Sequence, residues 1–209
     1  MFPAKFRIFA LFVLLFLIAV LFVTNIVGMI CPPSLVAFAE GSPVITVRDR
    51  DFLCTGISQV VSDDGNLYVL FGRYGVVQAY TQDGAYRYTI SVYDHANGRT
   101  EIAVRENRLY ICDKISNLYV FEDGVLSRYV DRAESYEIRR SLNLGAWDAE
   151  YVVQAGSVWY APDGVPQHCV IQRPAWLGLY QNGAITMLMF LLIAMSGALL
   201  VFPNRKASA

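Results

Sequence analysis

Ile57-Ser-Gln-Val-Val-Ser-Asp-Asp-Gly-Asn-Leu-Tyr-Val69, continued through Gly72-Arg-Tyr-Gly-Val-Val-Gln-Ala-Tyr80 and Gln82-Asp-Gly-Ala-Tyr-Arg-Tyr-Thr-Ile90, is the stretch whose reading decides the fold. Short runs rich in β-branched and aromatic residues alternate with clusters of Gly, Asp and Asn, the pattern of strands joined by tight turns. The pattern returns in Glu101-Ile-Ala-Val-Arg-Glu-Asn-Arg-Leu-Tyr-Ile111, Asp113-Lys-Ile-Ser-Asn-Leu-Tyr-Val-Phe121 and Glu122-Asp-Gly-Val-Leu126. Leu67-Tyr68-Val69 meets Leu109-Tyr110-Ile111 at an offset of 42, and Asp83-Gly84 meets Asp123-Gly124 at an offset of 40, so the period is near 41. Each unit reads as four short strands separated by three turns.

These residues resemble a β-propeller blade of the NHL-repeat type, in which a D-G-N-L-Y-V strand is followed by a turn, a V-x-x-Y/F strand and a second D-G turn. The resemblance covers residues 57–130 and implies a propeller-like fold. The aspartate usual after the second strand of such a repeat is matched by Asp113 in the second unit, whereas Gly72 stands there in the first. Closed propellers typically need about four to eight blades, and the sequence holds fewer. A third unit runs from Trp147 to Arg173 through Tyr151-Val-Val-Gln154, Ser157-Val-Trp-Tyr160 and His168-Cys-Val-Ile-Gln172, keeping the Asp163-Gly164 turn, and Pro43 to Leu53 offers a further strand. The expectation is an all-β domain over residues 43–175, built of propeller-blade-like antiparallel meanders in a partial propeller or open stack. Its sheet edges must be covered, paired or blunted. Asp131 to Leu144 mixes charges and reads as a connector or edge strand, with Ile138 and Leu142 as one apolar pair at helical spacing.

Working outward, uncharged apolar segments bracket this domain at residues 8–30 and 184–202. At about 1.5 Å per residue they would measure roughly 34 and 28 Å, against a hydrocarbon core of about 30 Å, so two flanking transmembrane α-helices are expected. Lys5 and Arg7 in the tail 1–7, with Arg205 and Lys206 in the tail 203–209, place both termini on the cytoplasmic side of a cell membrane and the domain on the extracytoplasmic side. Residues 31–42 form a linker. Residues 176–183 form a juxtamembrane segment in which Trp176 and Tyr180 suit the headgroup layer. The lipid bilayer is thus the first expected partner. Ala37-Phe38-Ala39 reads either as a signal-peptidase site or as part of the linker behind a retained first helix. The short tails leave no room for an intracellular signalling domain, so a partner would carry any signal inward.

Charge narrows the remaining partners. All 18 acidic residues and 13 of the 17 basic ones fall between the apolar segments, giving that region about −5. A mildly acidic domain argues against nucleic acid, which calls for a basic footprint. Of the four cysteines, Cys31 ends the first apolar run and Cys112 reads as a small buried residue. A disulfide between Cys54 and Cys169 would tie the start of the domain to its end. His95 and His168 are the only histidines, too few for a multi-histidine zinc site, and His168 and Cys169, as strand neighbours, point to opposite faces. Asp49, Asp51, Asp63 and Asp64 do not reproduce a calcium loop. No cofactor, metal or catalytic set is expected. Tyr86 and Tyr88 either line a surface on which sugar rings stack or pack across strands, and Arg132, Arg139 and Arg140, with Arg128, could hold an anionic group. The expected function is presentation of the β-repeat domain to a protein partner or to a second copy in a homo-oligomer. The alternatives are a glycan or cell-wall polymer binder, or an enzyme with a carboxylate site for which Asp94, Glu101 and Asp148 are candidates.

Overall fold

A computed structural model describes residues 10–20, 44–54, 56–72, 74–92, 99–174, 187–188 and 190–195. The chain divides into two compact units, Met1–Met29 with Asn182–Ala209, and Ile30–Gln181. The second unit holds three antiparallel sheets. The first sheet contains β1 (Val44–Val47), β2 (Gln59–Ser62), β3 (Asn66–Phe71), β4 (Val76–Thr81) and β5 (Tyr86–Val92), in the order β1-β5-β4-β3-β2. The second runs β6 (Glu101–Arg105), β7 (Arg108–Cys112), β8 (Leu118–Glu122) and β9 (Val125–Val130) in sequence order. The third is β10 (Tyr151–Gln154), β11 (Ser157–Tyr160) and β12 (His168–Ile171). Between the second and third sheets lies α1 (Arg132–Ser141).

The first sheet is a middle layer, which explains its nearly continuous apolar strands. Leu67, Val69, Phe71 and Val76 point from one face into a core shared with Tyr151, Val158, Val170 and Ile171 of the third sheet. Tyr68, Leu70, Val77, Ala79, Tyr88 and Ile90 point from the other face into a core shared with Ile102, Leu109, Ile111, Tyr119 and Phe121 of the second. The stack is therefore third, first, second, although the chain makes them first, second, third. A large apolar side chain buried in this way stabilises by about 1.5–3 kcal/mol relative to exposure. On the far face of the second sheet, Cys112, Leu118 and Val130 pack with Ile138, Leu142 and Leu144, so the end of α1 and the chain after it cover part of that face.

The two four-stranded meanders share their irregularities as well as their strands. Register shifts between Ala79 and Tyr80, and between Val120 and Phe121, leave Arg87 and Ser127 as the extra residues of two β-bulges. Both follow an Asp-Gly turn, and in both turns the glycine touches the neighbouring sheet. A Cβ at Gly84 would lie 1.9 Å from the Val170 carbonyl oxygen, and one at Gly124 would lie 3.1 Å from the Tyr88 ring. Their φ values, +89° and +75°, also favour glycine. The Asp-Gly turns are thus contacts between layers as well as reversals of the chain. A second recurring device is an aspartate clasp. Asp63 Oδ1 accepts from the Gly65 and Asn66 amides at 2.9 and 2.6 Å, and Oδ2 accepts from the Tyr68 hydroxyl at 3.3 Å. Asp113 Oδ1 accepts from the Ile115 and Asn117 amides at 3.0 and 2.8 Å, and Oδ2 from the Tyr119 hydroxyl at 3.3 Å.

Edges are treated unequally. Gln59, 2 % exposed at the inner edge of the first sheet, donates through Nε2 to Ile102 O (2.7 Å) and Ala146 O (2.6 Å). Its Oε1 accepts from Ile102 N at 3.0 Å, so its amide stands in for a peptide group between β2 and β6. The Asp148 amide donates to Val60 O at 2.9 Å and continues the seal. At the outer edge, β1 pairs with β5 in register from Val44↔Val92 to Val47↔Thr89.

Two expectations are corrected here. Asp131 to Leu144 is neither connector nor edge strand over most of its length. Asp131 caps α1, its Oδ1 accepting from Ala133 N at 2.9 Å and Glu134 N at 3.0 Å, and Glu134 in the first turn with Arg139 and Arg140 in the last suit the helix dipole. The larger correction concerns the flanks. Among the described residues no helix is long and apolar enough to cross a membrane. The helical residues described there are 10–20, 187–188 and 190–195. Two flanking transmembrane α-helices, a two-span cell-membrane location, cytoplasmic termini and an extracytoplasmic domain are therefore unsupported. Hydropathy reports how apolar a stretch is, not the length of helix it forms. Among the described residues the fold is mostly β.

Candidate interaction surface

The far face of the second sheet is only partly covered by α1. Between the last turn of the helix and the strands lies a groove of about 500 Å³. Tyr110 and Val120 contribute to its floor, Ile138, Ser141 and Leu142 close one side, and Arg105, Arg108 and Arg128 stand with Glu106 and Glu122 among its lining. Arg108 Nε lies 2.8 Å from Glu122 Oε1, and Arg105 Nε lies 3.4 Å from Glu106 Oε1. Both pairs are solvent-exposed, a setting in which an ion pair is worth about 0–1 kcal/mol. Among the described residues Arg128 has no carboxylate at ion-pair distance.

The groove opens beside β9, whose free side has no strand partner among the described residues. Five of its six residues are exposed, and three of these are large and apolar: Val125 at 61 %, Leu126 at 41 % and Tyr129 at 53 %. Directly opposed residues of an antiparallel pair share a face. Arg128 opposes Val120 and so stands on the groove side. Leu126 opposes Phe121 and Tyr129 opposes Tyr119, so both stand on the side of the inner core. The Tyr129 ring extends that core outward, its centroid 5.2 Å from that of Tyr119. At its start β9 is anchored from outside the sheet. Thr46 Oγ1 donates to Gly124 O at 2.7 Å, Arg48 donates to Asp123 O, and Arg87 Nη2 lies 2.8 Å from Asp123 Oδ1.

The residues singled out in the sequence do not gather here. Tyr86 is a tie within the first sheet, its hydroxyl 2.6 Å from Arg50 O and 3.1 Å from Val47 O. Tyr88 is 1 % exposed, with Arg48 and Arg87 guanidinium carbons 5.1 and 5.8 Å from its ring centroid, so it offers no open face for a sugar to stack on. The arginines are dispersed: Arg139 is half-buried against Cys112, Arg140 lies 5.9 Å from the Tyr136 ring centroid, and the Arg132 amide donates to Asn117 Oδ1 at 3.1 Å. Only Arg128 of that group lines the groove. Cys54 and Cys169 are not bridged to each other, and Cys112 and Cys169 are free thiols. Burial pushes the Cys112 and Cys169 thiols up from their ordinary value, opposed at Cys112 by the Arg139 guanidinium, so both stay protonated at neutral pH.

Of the carboxylate candidates, Asp148 contacts the Ser62 hydroxyl and accepts from the Glu150 amide at 3.0 Å, a local turn. Glu101 stands beside Gly145. Lys5, Arg7, Cys31, Asp94, His95, Trp176, Tyr180, Arg205 and Lys206 lie outside the described residues. Among the described residues no group of three or more His, Cys, Asp or Glu side chains could hold a metal ion. Sequence reasoning missed Arg105, Arg108 and the edge itself. The available signal was that Val125-Leu-Ser-Arg-Tyr-Val130 ends the second unit with no strand-like run directly after it.

Compared with protein-family models, with curated proteins and with solved structures, the chain matches none.

Proposed function

We propose that this protein is a non-catalytic interaction module that accepts an extended segment of a partner protein along β9. Strand addition draws its affinity from main-chain hydrogen bonds and its selectivity from alternate side chains. The observation that carries the reading is an edge strand left open and apolar in a fold that seals its inner edge with Gln59. The groove beside that edge adds a concave surface for the partner's side chains. The shared Asp-Gly turn and bulge also support reading the two meanders as repeats of propeller-blade type.

A photo-crosslinking amino acid at position 129, compared with the same probe at position 136 on the exposed face of α1, tests the reading. One adduct of defined mass is expected from position 129 and not from 136, and Leu126→Asp should abolish it. Equal yields from both positions, or an adduct that survives Leu126→Asp, would overturn the proposal.

A further inference from the structure

Strand addition at β9, which this inference takes from the reading above, leaves open what kind of segment is taken. We infer that it alternates acidic and apolar residues, with an acidic side chain beside Arg128 on the groove side and apolar side chains beside Leu126 and Tyr129 on the other. A strand laid along β9 sends successive side chains to opposite faces, and the two faces of β9 differ in chemistry. On the groove side Arg105 and Arg108 are matched by Glu106 and Glu122, leaving the Arg128 guanidinium as surplus positive charge among the described residues. A carboxylate on the incoming strand meets that guanidinium, whose planar fork favours paired hydrogen bonds to a carboxylate. On the opposite side the half-exposed Leu126 and Tyr129 continue the core between the first and second sheets, so an apolar side chain there is shielded from water.

The same features argue against a second copy of this chain. Two β9 strands paired across a symmetry axis would bring two Arg128 side chains to the same face of adjacent strands, and like charges so placed repel. The Ser127 bulge distorts the edge and suits it poorly to a flat self-complementary ladder. Charge and bulge together leave the edge open to a complementary strand and closed to indiscriminate pairing.

The test uses the full chain and three fluorescein-labelled heptapeptides, read by anisotropy: one alternating Glu and Val, one alternating Lys and Val, and the Glu-Val peptide methylated on alternate backbone nitrogens along the edge it would present. The Glu-Val peptide should bind at least tenfold more tightly than the Lys-Val peptide. Arg128→Gln should flatten that preference and Arg128→Glu should reverse it; the site is exposed, so both variants should retain the parent's circular dichroism. The methylated peptide should not bind. Equal affinity for the acidic and basic peptides would overturn the alternation while leaving strand acceptance standing. Undiminished binding of the methylated peptide would overturn strand acceptance itself. If no peptide binds while the position-129 adduct forms, the alternation alone is refuted; if neither is seen, both readings fall. A dimer seen by sedimentation and lost in Leu126→Asp would identify a second copy as the occupant and refute the inference.

Discussion

Gly84 and Gly65 make opposite predictions although both sit in Asp-Gly turns. A methyl group at Gly84 would drive into the Val170 carbonyl, a backbone atom that can yield only if β12 moves, whereas at Gly65 the nearest atom is Asp63 Oδ1 at 4.0 Å. Gly84→Ala should cost about 2–3 kcal/mol or more through overpacking and positive φ, and Gly65→Ala should fall within about 0.5 kcal/mol of the parent, measured by urea denaturation. Gln59→Leu removes both hydrogen bonds to the Ile102 peptide, and a buried unsatisfied peptide group costs about 1–3 kcal/mol; an unchanged urea midpoint would mean that water replaces the amide. Asp51 sets a pH dependence. Its Oδ1 accepts from the Gln78 Nε2 at 3.0 Å, and burial lifts its pKa above the ordinary 3.8 despite the opposing Arg173 charge and the hydrogen bonds from Tyr80 and Gln78. The folded state then holds the proton more tightly than the unfolded chain. The stability this group adds is present below about pH 4 and is lost as pH rises through the raised value. Thermal melts should show Asp51→Asn losing less stability than the parent between pH 4 and 7. Asp83, lowered first by the Thr81 hydroxyl, works the other way: its contribution is present above 3.8 and lost as pH falls through its folded pKa.

At the scale of elements, α1 rests on its cap and on a few side chains. Asp131→Ala removes acceptors for two helix amides and should lower stability by about 1 kcal/mol, checked by the change in thermal midpoint. This helix also shows where the sequence stopped being legible. Ile138 and Leu142 supply the helical spacing, but α1 buries too narrow a stripe for that pair to outweigh the mixed charges around it. The meanders were legible because turn chemistry is local: Asp63 accepts from the Gly65 and Asn66 amides and Asp113 from the Ile115 and Asn117 amides, all within four residues. The pairing of β1 with β5 was not, since Val44 and Val92 meet only after the whole meander has formed. The membrane reading rested on the length and hydropathy of two segments and on the charges beside them, and among the described residues no helix is long and apolar enough to cross a membrane. For the candidate site, Arg128 could be noticed as one arginine of several. Its isolation from Arg132, Arg139 and Arg140 follows from the change from strand to helix at Asp131, which the sequence did not declare.

For the whole molecule, Arg128 and the Ser127 bulge predict that the isolated protein does not pair through β9, so substituting Leu126→Asp should leave its sedimentation coefficient unchanged. The stacking order carries a further consequence. The layer made first is covered on one face by the layer made last, and the Arg173 guanidinium reaches the Cys54 carbonyl across 119 positions of chain at 2.6 Å. At about 5–20 residues per second of synthesis, Leu67, Val69, Phe71 and Val76 wait roughly 4–16 s between completion of β5 and arrival of β12. A chain ending at residue 150 should therefore bind a hydrophobic dye more strongly than the full chain does. On the ribosome, that wait is an interval in which a nascent sheet shows a bare face, and a holding chaperone has a defined target until the last three strands emerge.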